Sequence, residues 1–320
     1  MNDFCRRHLG AEVDTFTFPG GRDRKTIVIE VAGTRYALAK RSSAGRARLE
    51  ANVLRVGQQT SHAPDLIAQE DVFVLQFFVD GTRLTEELEF ADKSNRAILL
   101  NNAGRALLRL QSHASWATEL KDAPKIGHRD GWAEDFARTP VRLAEQLEMG
   151  APEWDLQSIL PHLVLKETAF VKWDSRPGNA LVRPDQSVVW IDWEHAGLAS
   201  PEDDLVWLLA DEWTPDLESV EQDLILELAK TSALSADELE IRFKIKAVLH
   251  SAIRLGLVFR RKGDGPWWNV RDALEHDRVG VSRGHVQRVC KRAYRLCKSV
   301  PVLDGLAAQF YEIHGYVESR

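Results

Sequence analysis

The stretch FVKWDSRPGNALVRPDQSVVWIDWEHAG, Phe170 to Gly197, limits the possible folds of this chain more than any other. Asp174 precedes Asn179 by five residues, and Asp192 follows thirteen residues after that. The residues NALVRPDQSVVWID, with their β-branched runs on either side of Pro184, Asp185 and Gln186, predict a hairpin. A hairpin folds its ends together, so it would bring Asn179 and Asp192 side by side near Asp174. Each of these residues alone is as well explained by a cap or a turn. The ordered set is more informative.

Two carboxylates and an amide oxygen are hard ligands, better suited to Mg²⁺ than to zinc. Phosphoryl transfer from a donor such as ATP needs such groups: two to hold the metal, and a third to orient an acceptor hydroxyl and take its proton. Asp174 is the candidate for the third role, with Asn179 and Asp192 as metal holders. Asp192 ends an apolar strand, Val188 to Ile191.

The amino-terminal part supplies matching pieces. Strands are expected at DTFTF, KTIVIEV, RYALAK, DLIAQ and VFVLQFF, with a helix at ARLEANVLRVGQQ. Gly20 and Gly21 would let backbone approach a phosphate, and Arg22, Arg24 and Lys25 could add charge there or lie in a solvated turn. Lys40 closes a strand and Glu50 lies ten residues on. A Lys40–Glu50 pair would aim the ammonium at donor phosphates, although a surface pair is an equal reading. Beyond Asp80 the chain reads as mostly helical. SNRAILLNNAGRALLRLQSH places Ile98, Leu99, Ala103, Leu107 and Leu110 at helical spacing. Further helices are expected at 235–260 and 285–300, separated by RRKGDGPWWN. The chain of 320 residues is long enough for two lobes, 1–80 and 81–320.

Taken together, these residues resemble the aminoglycoside phosphotransferase and choline kinase group, relatives of the protein kinases. That family's run is H-G-D-x-x-x-x-N, then I-D-[WF]-E, then a proline and D-L; here it reads KWDSRPGN, IDWEHAG and PEDDLVWLL. The resemblance implies an α+β, protein-kinase-like two-lobed fold with a small β-rich N-lobe and a larger, mostly helical C-lobe. It implies Asp174 as the catalytic aspartate, with Asn179 and Asp192 on Mg²⁺. Lys40 would meet ATP phosphates with Glu50 as its helix partner, and Asp204 would brace the catalytic loop. The hinge would run from Gln76 to Asp80, with backbone at Gln76 and Phe78 meeting adenine. The reaction implied is transfer of the γ-phosphoryl group of ATP to a small-molecule hydroxyl. The alternatives are a catalytically silent nucleotide-binding pseudokinase and an enzyme that transfers AMP.

Lys172 and Trp173 stand where the family has histidine and glycine. Lysine there could hold the loop by charge against Asp204 or Asp192, point at the phosphates, or mark a lost reaction; the retained Asp174, Asn179 and Asp192 favour activity. Trp173 could pack under the loop or shape the acceptor site. Glu194, Trp267 and Trp268 are candidates for the acceptor side. Glu202, Asp203, Asp211 and Glu212 would suit a cationic acceptor if exposed, with a charged helix surface as the commoner reading. The basic run RGHVQRVCKRAYRLCK is expected to dock as a helix on the acidic lobe. His128, Arg129 and Asp130 spell a kinase-like triplet, but Asp135 stands five residues past Asp130 where an asparagine belongs, so a loop is expected.

A net charge of −6 gives no support for a general nucleic-acid partner. Cys5, Cys290 and Cys297 match no zinc or disulfide pattern, and the last two suit helix packing. The absence of a long apolar run and the polar start MNDFCRRHLG lead to the expectation of a cytoplasmic protein without a membrane partner.

Overall fold

β-branched residues and tight turns build the first sheet. β1 (Thr15–Thr17), β2 (Thr26–Val31), β3 (Thr34–Lys40), β4 (Leu66–Glu70) and β5 (Phe73–Phe77) pair antiparallel in the order β1-β2-β3-β5-β4. The β2–β3 turn has Ala32 and Gly33 at φ 50° and 75°, the left-handed pair that a two-residue hairpin needs. The computed structural model describes residues 2–19, 26–116, 120, 123–127, 129–276 and 279–318. Gly20, Gly21, Arg22, Arg24 and Lys25, read above as a phosphate loop, lie outside the described residues, as does His128.

Alternate residues of one strand serve two cores. Val74 joins Val53 and Leu54 of α2 (Ala44–Gly57), while its neighbour Leu75 joins Phe4, Cys5, Ile29 and Leu38. Phe4 and Cys5 belong to α1 (Asn2–Leu9), a helix absent from the sequence reading. It buries only those two residues, too few to make a legible apolar stripe. Ser43 caps α2, its Oγ accepting from Arg46 N at 3.3 Å.

The rest is mainly helical. After β6 (Thr82–Arg83) come α3 (Leu84–Phe90), α4 (Lys93–Gln111), α5 (Trp132–Ala137), α6 (Thr139–Gln146) and α7 (Leu156–Leu163). β7 (Ala169–Val171), β8 (Ala180–Val182), β9 (Val188–Trp190) and β10 (Gly197–Ala199) form small sheets, β6-β8-β9 and β10-β7. Then follow α8 (Asp203–Leu209), α9 (Glu218–Ala229), α10 (Ala236–Lys262), α11 (Val270–His276), α12 (Arg283–Ser299) and α13 (Asp304–Glu318). α4 buries Leu99, Ala103, Leu107 and Leu110 as expected, but Ile98 is 42% exposed. The buried arc centres on Leu99, Leu100, Ala103 and Leu107, which leaves Ile98 at its edge. Gly104 lets α9 come close, since a Cβ there would stand 2.4 Å from Leu224 Cδ1.

Glu202, Asp203, Asp211 and Glu212 form neither a charged surface nor an open acceptor lining: all four are buried. Arg242 Nε donates to Glu202 at 2.9 Å, and Lys246 Nζ lies 2.7 Å from Glu202 and 2.6 Å from Asp203. Two nitrogens of Arg254 donate to Glu212 at 2.7 and 2.6 Å. Charges buried this deeply must be paired, and the partners come from α10, some forty residues away. α12 docks on this lobe as expected, with Arg292 donating to Thr214 O and Asp211 O at 3.0 Å each. Cys290 and Cys297 are buried within it, and burial pushes the Cys297 thiol up to about 12. Among the described residues no helix is long and apolar enough to cross a membrane.

Candidate active site

The predicted hairpin forms as β8 and β9, in the register Ala180↔Trp190 to Val182↔Val188. Asp185 Oδ1 accepts from Ser187 N at 2.9 Å, and Gln186 takes φ 64°, closing the turn where Pro184, Asp185 and Gln186 were read. Ile191 N donates to Asn179 O at 2.9 Å, so the two ends meet. Asn179 Nδ2 in turn donates to Asp174 Oδ2 at 2.8 Å and to Asp174 O at 3.0 Å. One hairpin and one side-chain amide thus bring Asp174, Asn179 and Asp192 together.

Asp174 is held in its ionised form. Burial pushes its carboxyl up, but Lys172, Arg176 and the Asn179 hydrogen bond outweigh that and keep it below the usual carboxylate range. Asp204 sits beneath this loop, its Oδ2 accepting from Lys172 N and its Oδ1 from Trp173 N, both at 2.8 Å. Ser175 Oγ adds a bond to Asp204 Oδ1 at 3.0 Å. Burial pushes the Asp204 carboxyl up, against these donors.

Lys172 does not point at the cleft. It is fully buried, and its Nζ donates to Asp174 O at 3.0 Å and Asp192 O at 2.7 Å, with the Trp193 ring 5.3 Å away. The lysine therefore ties the loop carrying Asp174 to the loop carrying Asp192, through backbone carbonyls rather than through the Asp204 or Asp192 carboxylates considered above. Burial lowers its proton affinity, and Asp174, Asp192 and Asp204 oppose that. Lys172→Met would leave the Asp192 carbonyl without its side-chain donor and Asp174 O with Asn179 Nδ2 alone. We expect a loss of about 3 kcal/mol in unfolding free energy, read from the denaturant midpoint. A midpoint unchanged within error would show that the bridge carries no net stability.

The partner of Glu50 is Arg41, not Lys40. Arg41 Nε donates to Glu50 Oε2, and Arg41 Nη2 to Oε1 at 2.5 Å. The period of two along a strand separates the neighbours: Lys40 is exposed, while Arg41 turns inward and is 6% exposed. Burial works against both charges, but Glu50, Asp192 and Glu194 keep the guanidinium firmly protonated. Arg41 Nη1 also lies 3.1 Å from Asp192 Oδ1 and 3.8 Å from Glu194 Oε1.

Glu194 consequently belongs to the junction of the lobes, its carbonyl accepting from Arg46 Nη1 at 2.6 Å. Its carboxylate thus faces Arg41, the cation beside Asp192. Trp267 and Trp268 lie elsewhere. Trp267 packs on Phe259 near the end of α10, with Lys262 Nζ 5.0 Å from its ring, and Arg261 lies over Trp268. At the hinge, Gln76 is paired with Ala37 in the sheet. Phe77 N donates to Asp65 O at 2.9 Å and Phe78 N to Arg35 O at 3.1 Å. The Phe78 amide is therefore already engaged, which leaves its carbonyl for any contact with a base.

Asn179 and Asp192 suit a hard cation. Asn179 Nδ2 is spent on Asp174, leaving the carbonyl Oδ1 for a ligand. Asp192 Oδ1 is buried and faces Arg41 Nη1 at 3.1 Å without an aligned hydrogen bond, and the side chain as a whole is 39% exposed. Among the described residues no group of three His, Cys, Asp or Glu is placed to hold a metal ion.

The ring cluster that gathers around Trp173 was not read from the sequence. Trp173 adopts φ 70°, a left-handed conformation that costs a bulky residue about 1–2 kcal/mol and suits glycine. Its ring packs 6.4 Å from Trp132 and 5.8 Å from Trp207, and Trp207 meets His250 at 4.4 Å. These rings, with Phe136 and Ile253, line a hollow of about 100 Å³. Their numbers are scattered through the chain, so no spacing could have linked them. Burial, helped by Arg254, pushes His250 down to about 3. Between that value and the ordinary histidine value the unfolded chain binds more protons than the folded one, so stability falls as pH falls. Acidifying from pH 7 to pH 5 is expected to cost about 2 kcal/mol through this group. His250→Phe should remove that part of the pH slope in denaturant titrations; an unchanged slope would refute the assignment.

Residues 16–234 match the model of the phosphotransferase enzyme family. Spectinomycin phosphotransferase APH(9)-Ia with ADP and spectinomycin superposes with a TM-score of 0.58 at 11% identity, covering 92% of this chain and 97% of that one. Choline kinase LicA from Streptococcus pneumoniae gives 0.52 at 13% identity, covering 96% and 97%. Macrolide 2'-phosphotransferase MphH from Brachybacterium faecium gives 0.51 at 14% identity, covering 87% and 95%. At such identities the likeness speaks for the fold. No curated protein matches the sequence.

Proposed function

This chain belongs to the phosphotransferase enzyme family, and on that premise we propose that it transfers the γ-phosphoryl group of ATP to a hydroxyl of a small molecule. The observation that carries this reading is the Asp174–Asn179 hydrogen bond at 2.8 Å, with Asp192 delivered beside it by the hairpin. Residues 1–80 form the donor-binding lobe and 81–320 the catalytic and acceptor lobe.

In the reaction, the acceptor oxygen bonds to the γ-phosphorus while the bond to the β,γ-bridging oxygen breaks. ADP leaves with that electron pair, and the acceptor proton passes to the Asp174 carboxylate. Asp174 remains ionised at neutral pH because Lys172 and Arg176 lie close, so it is ready to accept. Asn179 and Asp192 would hold Mg²⁺, which supplies charge neutralisation on the phosphates when bound. Arg41 takes the donor-side role expected of Lys40, because its guanidinium is the buried cation anchored by Glu50 and beside Asp192. Asp204 and Lys172 keep the two loops at fixed spacing, and that preorganisation is most of what the protein contributes.

The test is incubation with ATP and Mg²⁺ across a panel of hydroxylated metabolites, read by mass. We expect an acceptor that gains one phosphate, and no product once divalent ions are chelated. Gain of AMP would overturn the reading in favour of nucleotidyl transfer. ATP binding without product across the panel would overturn it in favour of a silent nucleotide binder.

A further inference from the structure

Between Asp174 and Asn179 the loop reads SRPG, and its cation, Arg176, has not been given a role. A proline restricts the residue before it to an extended shape, and Arg176, ahead of Pro177, has φ −74° and ψ 150°. Side chains alternate along extended chain. Ser175 is buried and faces the interior of the lobe, its Oγ donating to Asp204 O at 2.9 Å. Pro177 and Gly178 are buried as well. Of residues 174–179, that leaves Asp174, Arg176 and Asn179 half-buried. Asn179 ties the other two together: its Nδ2 donates to Asp174 Oδ2 and its N to Arg176 O, each at 2.8 Å. The guanidinium is near enough to help keep the Asp174 carboxyl ionised.

The donors of Arg176 are unused. A guanidinium carries five N–H groups, and this side chain makes no hydrogen bond among the described residues. Its Nε is buried and lies 3.5 Å from Asp211 Oδ2, a contact of charge without an aligned bond. Asp211 is fully buried and shared, since Arg254 Nε stands 3.7 Å from the same oxygen. Neighbouring cations are committed: Arg41 to Glu50 beside Asp192, Lys172 to two carbonyls, and Arg254 to Glu212. Polar groups this far from water are nearly always bonded, and an anionic ligand would supply the missing acceptors. Arg41 already stands on the donor side. Asp211 holds Arg176 from the helical lobe, on the acceptor side of Asp174. The planar fork of arginine matches the paired oxygens of a carboxylate or a phosphate.

We propose that Arg176 binds an anionic group of the acceptor, a carboxylate or a phosphate monoester, while the acceptor hydroxyl meets Asp174. The two residues flank Ser175 on the open side of one loop, so the anionic group stands a few bonds from the reacting hydroxyl. Arg176 is then the specificity-determining residue for acceptor charge. The assignment rests on the phosphotransferase reading for its reaction, but anion binding can be measured without it.

The probes share a hydroxylated propane chain and differ in the charge at one end: glycerate, glycerol phosphate, glycerol and aminopropanediol. Each is titrated into the full chain and followed by saturation-transfer NMR, with divalent ions chelated so that no metal bridges an anion to Asp192. At least one anion should bind roughly tenfold or more tightly than glycerol, and the amine no better than glycerol. Which anion binds separates carboxylate from phosphate. Arg176→Gln should bring that anion to the level of glycerol without changing ATP affinity. Arg176→Lys keeps the charge but not the fork, so it should retain part of the gap, and it keeps the test open if the neutral variant fails to fold. In turnover with ATP and Mg²⁺, both variants should raise KM for the anion and leave KM for ATP unchanged. Equal binding of glycerol, preference for the amine, no binding of either anion, or anion binding that survives both substitutions would each overturn the assignment. A fall in kcat alike for charged and neutral acceptors, at unchanged KM, would also overturn it, by moving Arg176 to the phosphoryl group in transfer. Anion binding that depends on Arg176 without any phosphate ester formed would leave the assignment standing and count against the reaction instead.

Discussion

Asp174→Asn is expected to lower kcat for phosphoryl transfer by about 10³-fold while leaving ATP affinity nearly unchanged. The substitution is nearly isosteric, and Asn179 Nδ2 can still donate to the amide oxygen at that position, so the loop keeps its shape. What disappears is the acceptor of the substrate proton. Asp204 and Lys172, which hold the loop backbone, are untouched. The wild-type acid limb follows from the same charges. Because the Asp174 carboxyl is held below the usual range, it stays ionised to lower pH than an ordinary aspartate. Activity limited by this group is present above its depressed pKa and lost as pH falls through it, below the ordinary aspartate range. Steady-state kinetics across pH check both points; a variant within tenfold of wild type would remove Asp174 from the mechanism.

Arg41→Ala is expected to cost about 3–5 kcal/mol of stability, because it strands Glu50, which is 1% exposed, without its bidentate partner. Lys40→Ala, one residue away on an exposed position, should stay within about 0.5 kcal/mol of wild type. The kinetic contrast should run the same way. Arg41→Lys preserves charge but not the fork that meets both Glu50 oxygens, so it should fold while raising KM for ATP. Urea denaturation and ATP titration of the three variants decide the matter. If Lys40→Ala, and not Arg41→Lys, raised KM for ATP, the donor-side role would return to Lys40.

Much of the site could be read along the chain because it is locally encoded. Asp174, Asn179 and Asp192 lie within nineteen residues joined by one hairpin, and the turn at Pro184 to Gln186 leaves that hairpin little freedom. Asp204 was read at a distance, and its carboxylate accepts from the backbone N–H groups of Lys172 and Trp173. The readings that changed all depended on which face of an element meets which neighbour. Lys40 and Arg41 are adjacent basic residues, and only the packing of α2 on the sheet decides which one reaches Glu50. Glu202 to Glu212 look like surface charge until α10 supplies Arg242, Lys246 and Arg254. Trp267 and Trp268 drew attention because they are adjacent, whereas the ring cluster around Trp173 gathers Trp132, Trp173 and Trp207 from three separate segments.

By itself the sequence determined the strand pairings with short turns, the helix α2, and the hairpin that gathers Asp174, Asn179 and Asp192. All of these depend on contacts between residues close in the chain, where few conformations compete. Tertiary structure alone decided the cation beside Asp192, the resting place of Lys172 on two carbonyls, and the shape of the aromatic wall around Trp173. Those outcomes turn on burial. A charge or an indole placed out of water must find its partner in three dimensions, and the partner is chosen by the packing of distant segments rather than by spacing.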